Sequence, residues 1–147
     1  MAIIQTVLNY NRAQLSNFAD SSSILIGTAN VLLAEFGLFE PAGTQFIQLQ
    51  TTVGWNVTDV SPVPPDQTLL QLTIFRDGVP IASAEQESIS NEEDTPLENL
   101  ASFQTIIRST TVGHHVYQLF ALNEQPEQGT ITVTGPVSIS AMAIGTP

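Results

Sequence analysis

The chain is predicted to be an all-β protein, an antiparallel jelly roll or β-sandwich of about seven to nine strands preceded by an N-terminal arm. Three observations lead there. Apolar and neutral polar residues alternate with a period of two in long segments, Asp-Gly and Gly-containing breaks separate those segments, and no long segment repeats with the period of a helix.

The clearest alternation covers residues 45–58, where Ile47, Leu49, Val53, Trp55 and Val57 interleave with Gln48, Gln50, Thr52, Asn56 and Thr58. Residues 131–143 repeat it, with Ile131, Val133, Val137, Ile139, Ala141 and Ala143 between Thr132, Thr134, Ser138 and Ser140. Both read as half-buried antiparallel strands with one wet face. Leu70, Leu72 and Ile74 mark a strand that stops at Asp77-Gly78, and Val79 begins the next, so residues 68–85 are expected to be a hairpin. Pro62, Pro64 and Pro65 break the chain before this hairpin, and the acidic run NEEDTP, 91–96, follows it. Further strands are expected at 100–110 and 112–122, joined near Gly113, with EQPEQG, 124–129, turning into the last strand. Residues 24–39 are apolar, rich in Ile, Leu, Val and Phe, and interrupted by Gly27 and Gly37, which leaves one long bent strand or two.

Residues 1–20 have no clean period, since Ile3, Ile4, Val7, Leu8, Leu15 and Phe18 fit neither template. The chain therefore divides into a connector, 1–20, and a sandwich domain, 21–147. Two readings of the connector stay open: a segment folded on its own domain, or an arm that adds a strand to a neighbouring subunit. On the second, Ile3, Ile4, Val7 and Leu8 are the assembly residues.

A 147-residue chain buries roughly 68–70% of its unfolded surface, enough for a core without staples. There is no cysteine, so disulfides, thiolate metal sites and cysteine nucleophiles are excluded. Arg12, Arg76 and Arg108 are the only cations against fourteen acids, a net charge of -11. Nucleic acid and anionic membranes are therefore unexpected partners. Charged residues form 12% of the chain, about half the roughly 25% usual for globular proteins. Polarity comes instead from 48 Ser, Thr, Asn and Gln residues, which another subunit covers at lower desolvation cost than charges. The N-terminus lacks the basic start and unbroken apolar stretch of a secretory signal, so the standard secretion route is not expected.

Catalytic signatures are missing from the sequence: no G-x-S-x-G elbow, no phosphate-binding glycine loop, no HExxH and no lysine. The chain is expected not to be an enzyme and to need no cofactor. His114 and His115, the only histidines, point to opposite faces of a strand and cannot both reach one metal. Glu85, Glu87, Glu92, Glu93, Asp94 and Glu98 gather without a cation among them, but their spacing matches no EF-hand, and a solvated loop explains them better than a calcium site. Trp55 and Tyr117 are candidates for a sugar-stacking platform, with the phase of Trp55 favouring the core. Asn56-Val57-Thr58 matches a glycosylation sequon, a pattern common by chance.

The segment LTIFRDGVPIAS, 72–83, and the closing VYQLFALNEQPEQGTITVTGPVSISAMAI, 116–144, resemble the tumour-necrosis-factor-like, complement-type jelly rolls of bacterial spore-surface proteins. The resemblance covers residues 24–145 in outline and consists of strand patterns. It implies a subunit that packs with copies of itself, as a trimer or a helical fibre, in an endospore appendage or the exosporium. It also implies synthesis in the mother cell without a signal peptide, and a spore-surface anchor or collagen-like tip protein as further partners. The chain departs from the family in having neither a collagen-like region nor cysteine, which leaves a non-covalent fibre or layer as the expected assembly. The rival expectation is a carbohydrate- or receptor-binding jelly roll.

Overall fold

The computed structural model describes residues 4–61, 67–89, 97–108 and 111–147, and these form two packed antiparallel sheets. In chain order the strands are β1 (Thr6–Ser16), β2 (Ile24–Ile26), β3 (Val31–Glu40), β4 (Thr44–Thr58), β5 (Gln67–Arg76), β6 (Val79–Ile89), β7 (Leu97–Arg108), β8 (Gly113–Asn123) and β9 (Thr130–Gly145). A 3-10 turn, Pro126–Gln128, precedes β9. No helix among the described residues is long and apolar enough to cross a membrane.

The first sheet has the order β1-β9-β4-β7, and β2 continues along the β9 edge beyond β1. The second has the order β3-β8-β5-β6. From β2 onward every connection crosses between sheets except β5 to β6. A five-stranded and a four-stranded sheet wound in this way make the jelly-roll β-sandwich the sequence predicts.

Alternation places the core between the sheets. Ile47, Leu49, Val53, Trp55 and Val57 of β4 face Leu70, Leu72 and Ile74 of β5 and Tyr117, Leu119 and Ala121 of β8, all essentially buried. Trp55 keeps its indole satisfied by donating Nε1–H to Gln86 Oε1 at 2.6 Å, while Gln86 Nε2 donates to the Leu100 carbonyl at 3.2 Å. Gln86 thus ties β6 to β7 at one open side of the sandwich.

The hairpin lies where the sequence places it. Asp77 (φ 51°) and Gly78 (φ 80°) both take positive φ, the pair of conformations a type I′ turn requires. The segment 24–39 divides into β2 and β3, which belong to different sheets. The strands at 97–108 and 113–123 follow one another but do not pair, since β7 pairs with β4 whereas β8 pairs with β3 and β5. The prolines at 62–65 and the acidic run 91–96 lie outside the described residues.

Glycine is obligatory where β4 crosses the bend in β9. A Cβ on Gly54 would lie 2.0 Å from the Gly135 carbonyl oxygen, a backbone atom that cannot swing aside. Above this bend the Ser21 and Ser22 amides both donate to the Thr134 carbonyl, at 2.9 and 3.0 Å, closing the turn between β1 and β2.

Candidate assembly surface

β1 lies antiparallel on β9, from Thr6 opposite Gly145 to Ser16 opposite Val137, so most of the predicted connector forms an edge strand in this chain. None of its side chains is fully buried, and only Ala13 packs against the core. Its remaining attachment is polar. Asn9 and Asn11 point inward and donate Nδ2–H to the carbonyls of Phe39 (2.8 Å) and Gly37 (2.6 Å) on the edge of β3. A mixed pattern of this kind defeats a period-based reading, because inward positions carry asparagine and outward positions carry Tyr10. Ile4 is 78% exposed and Val7 50%, Leu8 is half-buried, and Ile3 lies outside the described residues.

The outer face of the first sheet is laid out in cross-strand rows. Arg12, Ser140, Gln50 and Gln104 form one row, and Gln14, Ser138, Thr52 and Ser102 the next. Tyr10, Met142, Gln48 and Ile106 form a third, and Val7, Ile144, Phe46 and Arg108 a fourth. The face is therefore half neutral polar, and the rest is apolar apart from Arg12 and Arg108. The strands of this sheet contain Arg12 and Arg108 against one acid, Glu98, although the chain as a whole has a net charge of -11. The second sheet and its turns hold Glu35, Glu40, Asp77, Glu85, Glu87 and Glu124. This partition was readable in the sequence once the strands were assigned, because acids are missing from 44–58 and 130–145.

At one end of the sandwich the fold gathers a polar cluster that no local motif announces. Glu40, fully buried at the end of β3, accepts from Arg76 Nη2 at 2.6 Å and from the Tyr117 hydroxyl at 2.7 Å. Burial opposes the Arg76 charge, but the Glu40 contact outweighs it and raises the guanidinium above its ordinary range. Burial, then the Glu40 hydrogen bond and charge, push the Tyr117 phenol above its usual value. Asp77 is held low by the His115 hydrogen bond and by the Val116 amide, which donates to Oδ1 at 2.8 Å.

This geometry removes several candidate sites. Trp55 and Tyr117 are wholly buried, so neither stacks on a sugar, and Trp55 lies in the core as its phase predicts. His115 has both ring nitrogens engaged, with Asp77 and with Thr111, and His114 lies across Gly37 on the outer face. Among the described residues no three His, Asp or Glu side chains converge as a metal site. Of the acidic candidates, Glu85 and Glu87 lie exposed on β6. Glu124 is raised by burial and by the neighbouring Glu85 carboxyl.

No family model and no curated protein matches the chain. Among solved structures it is similar to dimeric latent PorU from Porphyromonas gingivalis, 12% identical with a TM-score of 0.53, over 99% of this chain and 13% of PorU. It also aligns with the insecticidal delta-endotoxin Cry8Ea1 from Bacillus thuringiensis, 12% identical with a TM-score of 0.44, over 81% of this chain and 19% of the toxin. The chain thus spans less than a fifth of either protein. The PorU likeness supports the β-sandwich fold alone, and the toxin likeness carries no argument. Fold and surface together define a jelly-roll β-sandwich with one nearly carboxylate-free sheet.

Proposed function

We propose that the protein is a structural subunit that assembles with copies of itself, using the first sheet and its N-terminal edge strand as the contact. The observation that carries this reading is the partition of charge. Copies with a net charge of -11 repel one another, and the face where they meet at least cost is the one bearing Arg12 and Arg108 against Glu98. Its Ser, Thr and Gln rows exchange water for partner groups cheaply, and Tyr10, Met142, Ile144 and Ile106 supply apolar area. Ile4 and Val7 extend that area at the β1 end. The resemblance to spore-surface jelly rolls supplies the setting, a non-covalent fibre or exosporium layer, with self-association as a trimer or helical fibre. No catalytic residue is assigned.

Negative-stain electron microscopy of the recombinant chain, alongside the Ile4→Asp/Val7→Asp variant, tests the reading. Defined oligomers or fibres in the first sample that are lost in the second support it, and monomers in both contradict it. A binding module is the second reading, favoured by Phe75 and Phe120, an edge-to-face pair 5.0 Å apart and half-buried on the outer face of the second sheet. Glycan-array binding abolished by Phe120→Ala would support that reading.

A further inference from the structure

The polar cluster at the end of the sandwich contains a histidine whose surroundings favour its protonated form. His115, 8% exposed, places Nδ1 2.5 Å from Asp77 Oδ2 and Nε2 3.0 Å from the Thr111 carbonyl oxygen. A carboxylate and a carbonyl only accept, so the imidazolium, donating from both ring nitrogens, fits these two partners, whereas a neutral ring would have to take its Nε2 hydrogen bond from the Thr111 hydroxyl at 3.3 Å instead. We propose that His115 is a charged clasp that binds the β5–β6 turn to the connection entering β8, and that its deprotonation opens the clasp.

The parts held together come from separate stretches of chain. Asp77 belongs to the type I′ turn and is locked to β8 twice more, through its amide to the Val116 carbonyl at 2.8 Å and through Oδ1 from the Val116 amide. Thr111 lies on the crossover from the first sheet to the second, and nothing in a β-ladder holds it. Its carbonyl and hydroxyl face His115 Nε2, the hydroxyl at 3.3 Å, and the hydroxyl also lies 3.4 Å from Arg76 Nη2. When His115 loses its proton while Asp77 keeps Nδ1–H, the Nε2 lone pair meets the Thr111 carbonyl oxygen at 3.0 Å. That contact is repulsive, so Thr111 must either turn to give Nε2 its hydroxyl hydrogen or move away.

The charges facing His115 favour the clasped state on balance. Asp77 comes from the turn, Glu40 from the end of β3, and Arg76 from the end of β5, with Tyr117 on β8 directing its hydroxyl to Glu40. Arg76 opposes the imidazolium, but its Nη2 is already paired with Glu40. Burial also opposes the charge, and the Asp77 hydrogen bond, the Thr111 carbonyl and the Glu40 charge outweigh it, raising His115 above the ordinary histidine value.

Nitrogen-15 NMR of the histidine side chains against pH tests the clasp, with His114→Gln assigning the two rings. The wild-type His115 should titrate with a midpoint above ~6.5 and show two protonated nitrogens at pH 6.5. Asp77→Asn should bring that midpoint down while keeping the turn, because asparagine also accepts positive φ. Amide exchange at Val112 and Gly113 should accelerate through the same midpoint. A midpoint at or below ~6.5, or a midpoint that Asp77→Asn leaves in place, overturns the proposal.

Discussion

Removing the Arg76 guanidinium is the sharpest probe of the buried cluster. Glu40 has no exposed surface, and the Arg76 side chain is 14% exposed, so their 2.6 Å contact is screened little by water. Arg76→Met retains most of the apolar stem but leaves a buried carboxylate facing a thioether, with the Tyr117 hydroxyl still donating to it. Breaking a buried pair from one side costs about 3–5 kcal/mol, which for a domain of this size lowers Tm by about 6–20 °C. The double variant Arg76→Met/Glu40→Gln has no charge to strand, and its amide oxygen still accepts from Tyr117. It should recover most of the loss. Urea denaturation and calorimetry of wild type, both single variants and the double close the cycle. A loss below about 1 kcal/mol in Arg76→Met, the size of an exposed pair, would refute the argument that Glu40 depends on Arg76.

Other predictions follow from the same contacts. Trp55→Phe removes the donor to Gln86 Oε1 and opens space in the core, and should cost about 1–3 kcal/mol for the lost hydrogen bond alone, measured by denaturation. Gly54→Ala should fold poorly or not at all, since its methyl group meets the Gly135 carbonyl at 2.0 Å; circular dichroism and yield check this. Stability should depend on pH at this end of the fold. Because His115 is raised, its contribution is complete below the unfolded value near ~6.5 and is lost as pH climbs through the folded midpoint; Asp77, being lowered, contributes above ~3.9 and loses its effect as pH falls through its folded value. A Tm profile with its maximum between those limits, flattened on the alkaline side in Asp77→Asn, is the expected result. Trypsin has only Arg12, Arg76 and Arg108 to cut in a chain without lysine, and all three lie in strands, so the native protein should resist digestion while the urea-unfolded chain is cleaved.

Where one face is wet and the other packed, the strands were legible. Residues 45–58 and 131–143 keep one phase of alternation on either side of Thr51 and of the Gly135-Pro136 bend, and the Asp77-Gly78 turn carries its own chemistry. The region 24–39 was not legible as two strands, because it is rich in Ile, Leu, Val and Phe on both sides of the break while β2 and β3 serve different sheets. A register shift between Leu32 and Ala34 also buries the adjacent residues Leu33 and Ala34 on one side, which breaks the period of two. β1 escaped the pattern because Asn9 and Asn11 occupy inward positions to satisfy β3 carbonyls. The neutral outer face was visible as Gln, Ser and Thr in alternation, and its meaning emerged when Arg12 and Arg108 fell on the same sheet. The end cluster could not be read locally. Glu40, Arg76, Asp77, Thr111, His115 and Tyr117 come from widely separated segments, and only the jelly-roll crossings bring them together.

Analytical ultracentrifugation of the wild-type chain beside Gln50→Glu tests the central claim most directly. Gln50 is exposed in the middle of the first sheet, between Ser140 and Gln104, so a carboxylate there should change the stability of the fold by no more than about 0.5 kcal/mol. The account predicts a concentration-dependent oligomer or polymer for the wild type and a shift toward monomer for Gln50→Glu. A wild-type chain that stays monomeric, or assembly that a carboxylate at Gln50 leaves unchanged, would contradict it.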